Sequence, residues 1–226
     1  MIYVMSDLHG EYDKFIEMLD LINFSSEDKL YILGDVFDRG EKPLDIIDYI
    51  RKPENSNIEL LLGNHESFYL SVVEDETNLS LWLYNGGYTT FKQLEQKDES
   101  YLVELTNYLK SLPLYKVIDN FILVHAGLRV PINCENLNID IDTILNSQDE
   151  DSLLWERDFI QSDRYINDFT VICGHTPTIN KEDSSKKAEI KHLKGKVMID
   201  CGAYFKNYNG RLGCLRLDDF KEFYIG

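Results

Sequence analysis

Gly34-Asp35-Val36-Phe37-Asp38-Arg39-Gly40 follows the apolar run at residues 30–33 and sets two carboxylates and a guanidinium between two glycines. A short apolar run reads as a buried strand, and glycine lets the chain turn tightly and approach a neighbour closely. Alone, such a heptad is a charged turn. The same design recurs, however, and the recurrence decides the fold. Residues 1–5 form a continuous apolar run ending in Ser6-Asp7-Leu8-His9-Gly10, and residues 58–62 end in Gly63-Asn64-His65-Glu66. Between these runs, residues 11–24 carry Phe15, Met18, Leu19 and Ile22 at helical spacing. Pro43 opens a second helical pattern with Leu44, Ile47 and Ile50. Strand, helix, strand, helix, strand implies right-handed crossovers and a largely parallel sheet.

Further along, residues 67–112 read as mostly helical, broken at Gly86-Gly87 and closed by Pro113. Residues 116–118 and 121–124 flank Asp119-Asn120 as a hairpin, whose second arm ends in His125-Ala126-Gly127. Residues 129–151 read as irregular with one short helix. Residues 171–173 form a strand ending in Gly174-His175-Thr176-Pro177, and 179–195 a polar loop or weak hairpin. Residues 197–199 and 212–217 read as closing strands. With no repeat, linker or low-complexity tract, residues 1–226 are expected to form a single α/β domain.

Composition narrows the function. The apolar fraction of 43% and 14 tyrosines indicate a globular chain. Forty acids against 23 bases give a net charge of −17, which disfavours nucleic acid and anionic membranes as partners. An anionic substrate remains compatible where cations reverse the sign locally. Cys134, Cys173, Cys201 and Cys214 are widely spaced, which reads as free thiols in a reducing compartment. The chain enters a strand at once, leaving no room for a signal peptide, and no apolar run approaches the roughly 18 residues of a membrane span. A cytoplasmic location is expected.

In open parallel sheets, ligands bind beyond the carboxyl ends of the strands. Five strands here end in Asp7 and His9, Asp35, Asn64 and His65, His125, and His175, so four of the five histidines fall at strand ends. A lone loop histidine is more commonly a surface residue, and Asp7 or Asp35 could each be a helix cap. Coincidence at five strand ends points instead to one site. Nitrogen and oxygen donors without thiolate suit Mn2+, Fe or Zn2+. There are more donors than one ion with an open position needs, and a carboxylate such as Asp35 can bridge. The pattern implies two metal ions about 3.5–4 Å apart, the arrangement that clamps the attacking and leaving oxygens in phosphoryl displacement.

These motifs, in this order, resemble those of the calcineurin-like metallophosphoesterases, and more narrowly the compact bacterial and phage serine/threonine phosphatases of the phosphoprotein phosphatase family. The resemblance spans residues 4–215, including Leu153-Leu154-Trp155-Glu156-Arg157 and Asp200-Cys201-Gly202-Ala203. It implies a four-layer α-β-β-α sandwich. It implies that Asp7, His9 and Asp35 hold one metal and that Asp35, Asn64, His125 and His175 hold the second, with Mn2+ the expected ion. His65 would be the general acid, oriented by Asp38. Arg39, Asn64 and Arg157 would bind the substrate phosphate. The substrate implied is a phosphoserine or phosphothreonine protein or peptide, with small phosphoesters also accepted.

The alternative within the family is a hydrolase of dinucleoside polyphosphates such as diadenosine tetraphosphate. Members of that type tend to lack an intact Asp-Arg-Gly and to read Gly-Asn-His-Asp, so Asp38-Arg39-Gly40 and Glu66 weigh toward the phosphoprotein reading. A non-catalytic phosphoprotein-binding module is a further alternative, disfavoured by the complete ligand set. Ser6 replaces the usual glycine before the first aspartate. Asp200 stands where the animal enzymes carry an aromatic residue, so their substrate preferences do not transfer. Trp155 reads as core, Cys201 as a buried inert thiol, and His192 as a solvated loop residue. The six lysines within residues 181–196 read as solubilising surface, or more sharply as an attractor for phosphorylated substrates.

Overall fold

The computed structural model describes residues 1–130 and 140–226. Two five-stranded sheets share one apolar layer. The first runs β10 (Lys221–Ile225), β9 (Leu212–Arg216), β1 (Ile2–Met5), β2 (Lys29–Ile32), β3 (Ile58–Leu60). The second runs β4 (Tyr115–Ile118), β5 (Phe121–Val124), β6 (Thr170–Cys173), β8 (Lys196–Met198), β7 (Lys191–Leu193). The strands β1, β2 and β3 are parallel, as are β5, β6 and β8.

Period-two alternation explains why these strands are apolar throughout. In β1, Val4 faces the layer between the sheets while Tyr3 and Met5 face helices. In β6, Ile172 faces inward to that layer while Val171 and Cys173 face the opposite helices. Strands covered on both faces have no side that must be polar. Helices α1 (Tyr12–Leu21), α2 (Pro43–Ile50), α3 (Asn64–Glu74), α4 (Leu79–Trp82), α5 (Tyr88–Leu94) and α6 (Glu99–Lys110) cover the first sheet; α7 (Ile141–Asn146), α8 (Glu150–Trp155) and α9 (Asp158–Gln161) cover the second. The result is the α-β-β-α order expected. Pro43 takes the first turn of α2, as its missing N–H and fixed φ favour.

Register then sets the site. Met5 pairs with Ile32 and Ile32 with Leu60, so three strands of the first sheet end level. Val124 pairs with Cys173, which does the same for the second. The five strand ends therefore come from two sheets rather than one edge.

Several expectations shift. The helical stretch 67–112 divides around a wide turn at Leu83–Gly87, where Gly86 has φ +104°. The irregular stretch 129–151 contains α7 and the start of α8, and residues 131–139 within it, including Cys134, lie outside the described residues. The weak hairpin near 195 is the β7–β8 pair. Edge strand β10 was not anticipated from the pattern. Among the island lysines, Lys196 is not surface at all: it is 2% exposed, and its ammonium donates to the carbonyls of Phe159 (2.7 Å) and Ser162 (2.5 Å). Cys173, Cys201 and Cys214 are buried free thiols, with Cys201 pushed up to about 12 by burial. Among the described residues, no helix is long and apolar enough to cross a membrane.

Candidate active site

The strand ends deliver their side chains to one point, and Asp35 is its hub. One Asp35 oxygen lies 3.7 Å from His9 Nε2 and 3.9 Å from His65 Nε2; the other lies 3.5 Å from His125 Nε2. The donor atoms form two compact triples that share Asp35: His9, Asp35 and His65, and Asp35, His125 and His175, each within 4.8 Å. Asn64 Oδ1 lies 2.8 Å from His125 Nε2 and 3.0 Å from His175 Nδ1. Asp7 is adjacent, its Oδ2 accepting from the Ser6 hydroxyl and from the His175 amide (3.0 Å). Those bonds fix the Asp7 carboxylate through Oδ2, and the compact first triple is completed by His65. Arg39 donates to His9 Nε2 (2.7 Å) and His65 Nε2 (2.9 Å), and Arg157 Nε donates to His175 Nε2 (3.1 Å). Asp38 Oδ2 accepts from His65 Nδ1 at 2.7 Å. All ten residues singled out from the sequence are thus brought together.

Convergence is reached by backbone strain. Asp7, His9, Asp35, Asp38, Arg39 and His175 all have φ between 40° and 68°. A residue with a Cβ is disfavoured there by roughly 1–2 kcal/mol, so six such residues in one site mark a geometry that the surrounding structure imposes. Gly34 shows the crowding that requires it. At φ +85°, its Cβ would lie 2.5 Å from the Gly63 backbone, where two strand ends meet.

The electrostatics make the donor set a fit for divalent cations. Burial, followed by the Arg39 charge, drives His9 and His65 well below the usual imidazole range, and burial also lowers His125 and His175. Neutral imidazoles offer lone pairs. The His125 Nδ1–H donates to the Leu33 carbonyl (2.7 Å), which leaves Nε2 as an acceptor facing the acceptor Asn64 Oδ1. The His9 Nδ1–H likewise donates to the Phe37 carbonyl (2.9 Å) and turns its Nε2 toward Asp35. Asp35 is held well above the carboxylate range by burial and then by the charges of Asp7 and Glu66. Lone pairs aimed at one another among crowded carboxylates are the signature of a cation site.

A calcineurin-like phosphoesterase family model matches residues 1–210. The chain belongs to that family. The chain is 35% identical over 128 residues to a symmetrical bis(5'-nucleosyl)-tetraphosphatase of Nitrosospira multiformis, a match covering 56% of this chain and 43% of that protein. It is 29% identical over 182 residues to the enzyme of the same name from Haemophilus ducreyi, covering 77% and 58%. Serine/threonine-protein phosphatase 2 of Salmonella typhimurium is 29% identical over 153 residues, covering 66% of this chain and 68% of that one. The matches span about half the length of the first two relatives. Among solved structures, a candidate diadenosine tetraphosphatase superimposes with TM-score 0.65 at 17% identity, covering 99% and 92% of the two chains. A Saccharomyces cerevisiae protein serine/threonine phosphatase superimposes with TM-score 0.59 at 16% identity, covering 99% and 78%; both share the fold.

Several residues that support the site were given no role in it from the sequence. Glu66 is fully buried and accepts from four backbone amides: Asp35, Val36 and Phe37 (each 2.9 Å) and Gly63 (3.0 Å). One carboxylate thereby locks two strand-end loops together. Trp82 Nε1 donates to Asp38 Oδ2 (2.8 Å), and the Thr90 hydroxyl donates to Asp38 Oδ1 (2.6 Å) while accepting from the Asp38 amide (2.9 Å). Between them, the Gly86 carbonyl accepts from the Arg39 amide (3.0 Å). Burial pushes Asp38 up to about 7, and the Thr90 and Trp82 donors pull against that. Asp200 is also buried beside Asp7 and is raised by burial and then by that charge. Trp155, read as core, is 41% exposed beside His175.

Proposed function

We propose that this phosphoesterase is a two-metal hydrolase, a reading carried by the two donor triples that share Asp35, and that its substrates are dinucleoside polyphosphates. A single carboxylate facing imidazoles from both of its oxygens suits a bridging ligand. Asp7, His9 and Asp35 would hold one ion, and Asp35, Asn64, His125 and His175 the other. Two divalent ions, Mn2+ with Fe and Zn2+ as the other candidates, would supply charge that activates water and neutralises phosphoryl oxygens. Arg39 and Arg157 now donate to imidazole nitrogens at the rim, from which each can pass its planar fork to phosphate oxygens. Once Arg39 leaves His65 Nε2 for the phosphate, His65 would take up a proton there and give it to the leaving oxygen, while Asp38 accepts from Nδ1–H and fixes the ring.

The weighting of substrates differs from the one the motifs suggested. Symmetrical tetraphosphatases recur among the relatives, which supports the phosphoanhydride substrate over the phosphoprotein that Asp38-Arg39-Gly40 and Glu66 favoured. Phosphoserine and phosphothreonine hydrolysis stays as a second reading, because the Salmonella phosphatase match covers two thirds of both chains. The test is to strip metal, restore Mn2+, and compare diadenosine tetraphosphate, a phosphothreonine peptide and p-nitrophenyl phosphate. The expected result is kcat/KM at least about tenfold higher on the dinucleotide, a difference of about 1.4 kcal/mol in transition-state stabilisation. The reverse ranking selects the second reading. No metal-restored turnover on any of the three refutes both.

A further inference from the structure

The rim of the site carries an aromatic pair to which no role has been given. Trp155 ends α8 with 41% of its surface exposed. Its ring meets His175 edge-on at 5.7 Å and Phe68 at 5.4 Å, and Phe68 lies 5.9 Å from His65. The pair therefore spans the mouth from a ligand-type imidazole to the acid-type one. Beside Trp155 opens a cavity of about 460 Å³, lined by Arg129, Asp151, Ser152, Glu156, Arg157 and Asp158. Arg157 belongs to both spaces, lining this cavity while donating to His175.

We propose that this cavity is the nucleoside subsite of the phosphoesterase, with Trp155 as the surface on which the base stacks. The proposal rests on the dinucleoside polyphosphate reading and names where that substrate's specificity lies. The size is that of a small-ligand pocket. Its chemistry follows the order of groups along a nucleotide. Arg157 stands at the catalytic edge beside His175, where the phosphate would lie. An exposed indole face accepts any base by stacking. Carboxylates are the groups that bind ribose hydroxyls, and Asp151 and Asp158 line the wall with side chains that have no hydrogen-bond or ion-pair partner among the described residues. Glu156 is committed elsewhere, accepting from the Asp158 amide at 2.6 Å. The wall sets Asp151, Glu156 and Asp158 against Arg129 and Arg157, and Arg129 is itself paired with Asp149, so the carboxylates away from Arg157 favour a neutral, hydroxyl-rich nucleoside over an acidic peptide. These features favour a nucleoside over a peptide at this face.

The chain has two tryptophans, and the other, Trp82, is 1% exposed, so Trp155 reports on the cavity. AMP titrated into the metal-free protein should quench tryptophan emission, and Trp155→Phe should remove the quench. In the Mn2+-loaded enzyme, Trp155→Ala should raise KM for diadenosine tetraphosphate about tenfold more than KM for a ring-free phosphoserine peptide, as expected for one lost stacking contact. Trp155→Phe should recover most of that difference. Equal KM changes on both substrates, or emission unmoved by AMP, would overturn the subsite. Because the AMP titration needs no turnover, a quench in a protein that fails to cleave the dinucleotide would keep the subsite and discard only the proposed reaction.

Discussion

Replacing Trp82 with Phe isolates the support behind the proposed acid. Asp38 is fully buried, and three side chains donate to its carboxylate: His65 and Trp82 to Oδ2, and Thr90 to Oδ1. A hydrogen bond to a charged group is worth about 1.5–3 kcal/mol, so its loss should push Asp38 above its present value and weaken its hold on His65 Nδ1–H. Transmitted in full to leaving-group protonation, that is roughly a 10- to 150-fold loss in kcat. A phenyl ring should keep most of the packing against Tyr69 and Phe91, whose centroids lie 5.8 and 6.3 Å from the indole, so the fold should survive. The assay is kcat across phosphomonoesters of rising leaving-group pKa, with folding followed by urea denaturation. The loss should be small for p-nitrophenol and full for an alkoxide, because only a poor leaving group needs the proton. Thr90→Val should behave alike, and Thr90→Ser should retain activity. A loss of equal size across the series would refute the reasoning, reducing Trp82 to a packing residue.

Three further outcomes follow from single contacts. Asp35→Asn should abolish binding of both metal ions while Asp38→Asn retains them, measured as metal content after equilibrium dialysis; retention of two ions by Asp35→Asn would remove Asp35 from the bridge. Glu66→Gln should destabilise the protein by about 2–4 kcal/mol in urea, since one amide group would turn its own N–H donors onto two of the four backbone donors. A stability within experimental error of the parent would show that the loops do not depend on that carboxylate. Lys196→Met should take the charged donor from the Ser162 and Phe159 carbonyls, of which Phe159 keeps the Ser162 amide and hydroxyl as donors, lowering Tm by roughly 4–8 °C for a cost of about 2 kcal/mol in a chain of this size; no shift would mean that water replaces the ammonium.

The parts of the site that were legible in the sequence are those where chemistry sits at the end of a strand. Asp7, His9, Asp35, Asn64, His125 and His175 each follow a short apolar run, and strand register brings them level within each of the two sheets. The supports left no such trace. Trp82 and Thr90 reach Asp38 across 44 and 52 residues from a helical stretch whose own periodicity explains them as core and surface. Gly86 read only as a helix breaker, yet its φ of +104° places its carbonyl on Arg39. The left-handed conformations of six site residues have no compositional signal, because Asp, His and Arg occur throughout the chain. Strand β10 was hidden because an edge strand is half-exposed and lacks the continuous apolar run of β1 or β6.

Glu66 also explains why the motifs weighted the substrate as they did. Its carboxylate is buried against four backbone amides and faces no space that a substrate can enter. Glutamate or aspartate at that position therefore reports how two loops are braced, and carries no information about what is hydrolysed. Asp38 and Arg39 are similarly indifferent: a guanidinium fork and an oriented imidazole serve a phosphoanhydride and a phosphomonoester alike. Discrimination must come from groups that can touch the part of the substrate beyond the phosphoryl group. On the face that Arg157 closes, those are Trp155 and the acids Asp151 and Asp158, whose side chains have no hydrogen-bond or ion-pair partner among the described residues. Exchanging the residues of that rim should move the ratio of dinucleotide to phosphopeptide turnover, whereas Glu66→Asp should lower both by the same factor.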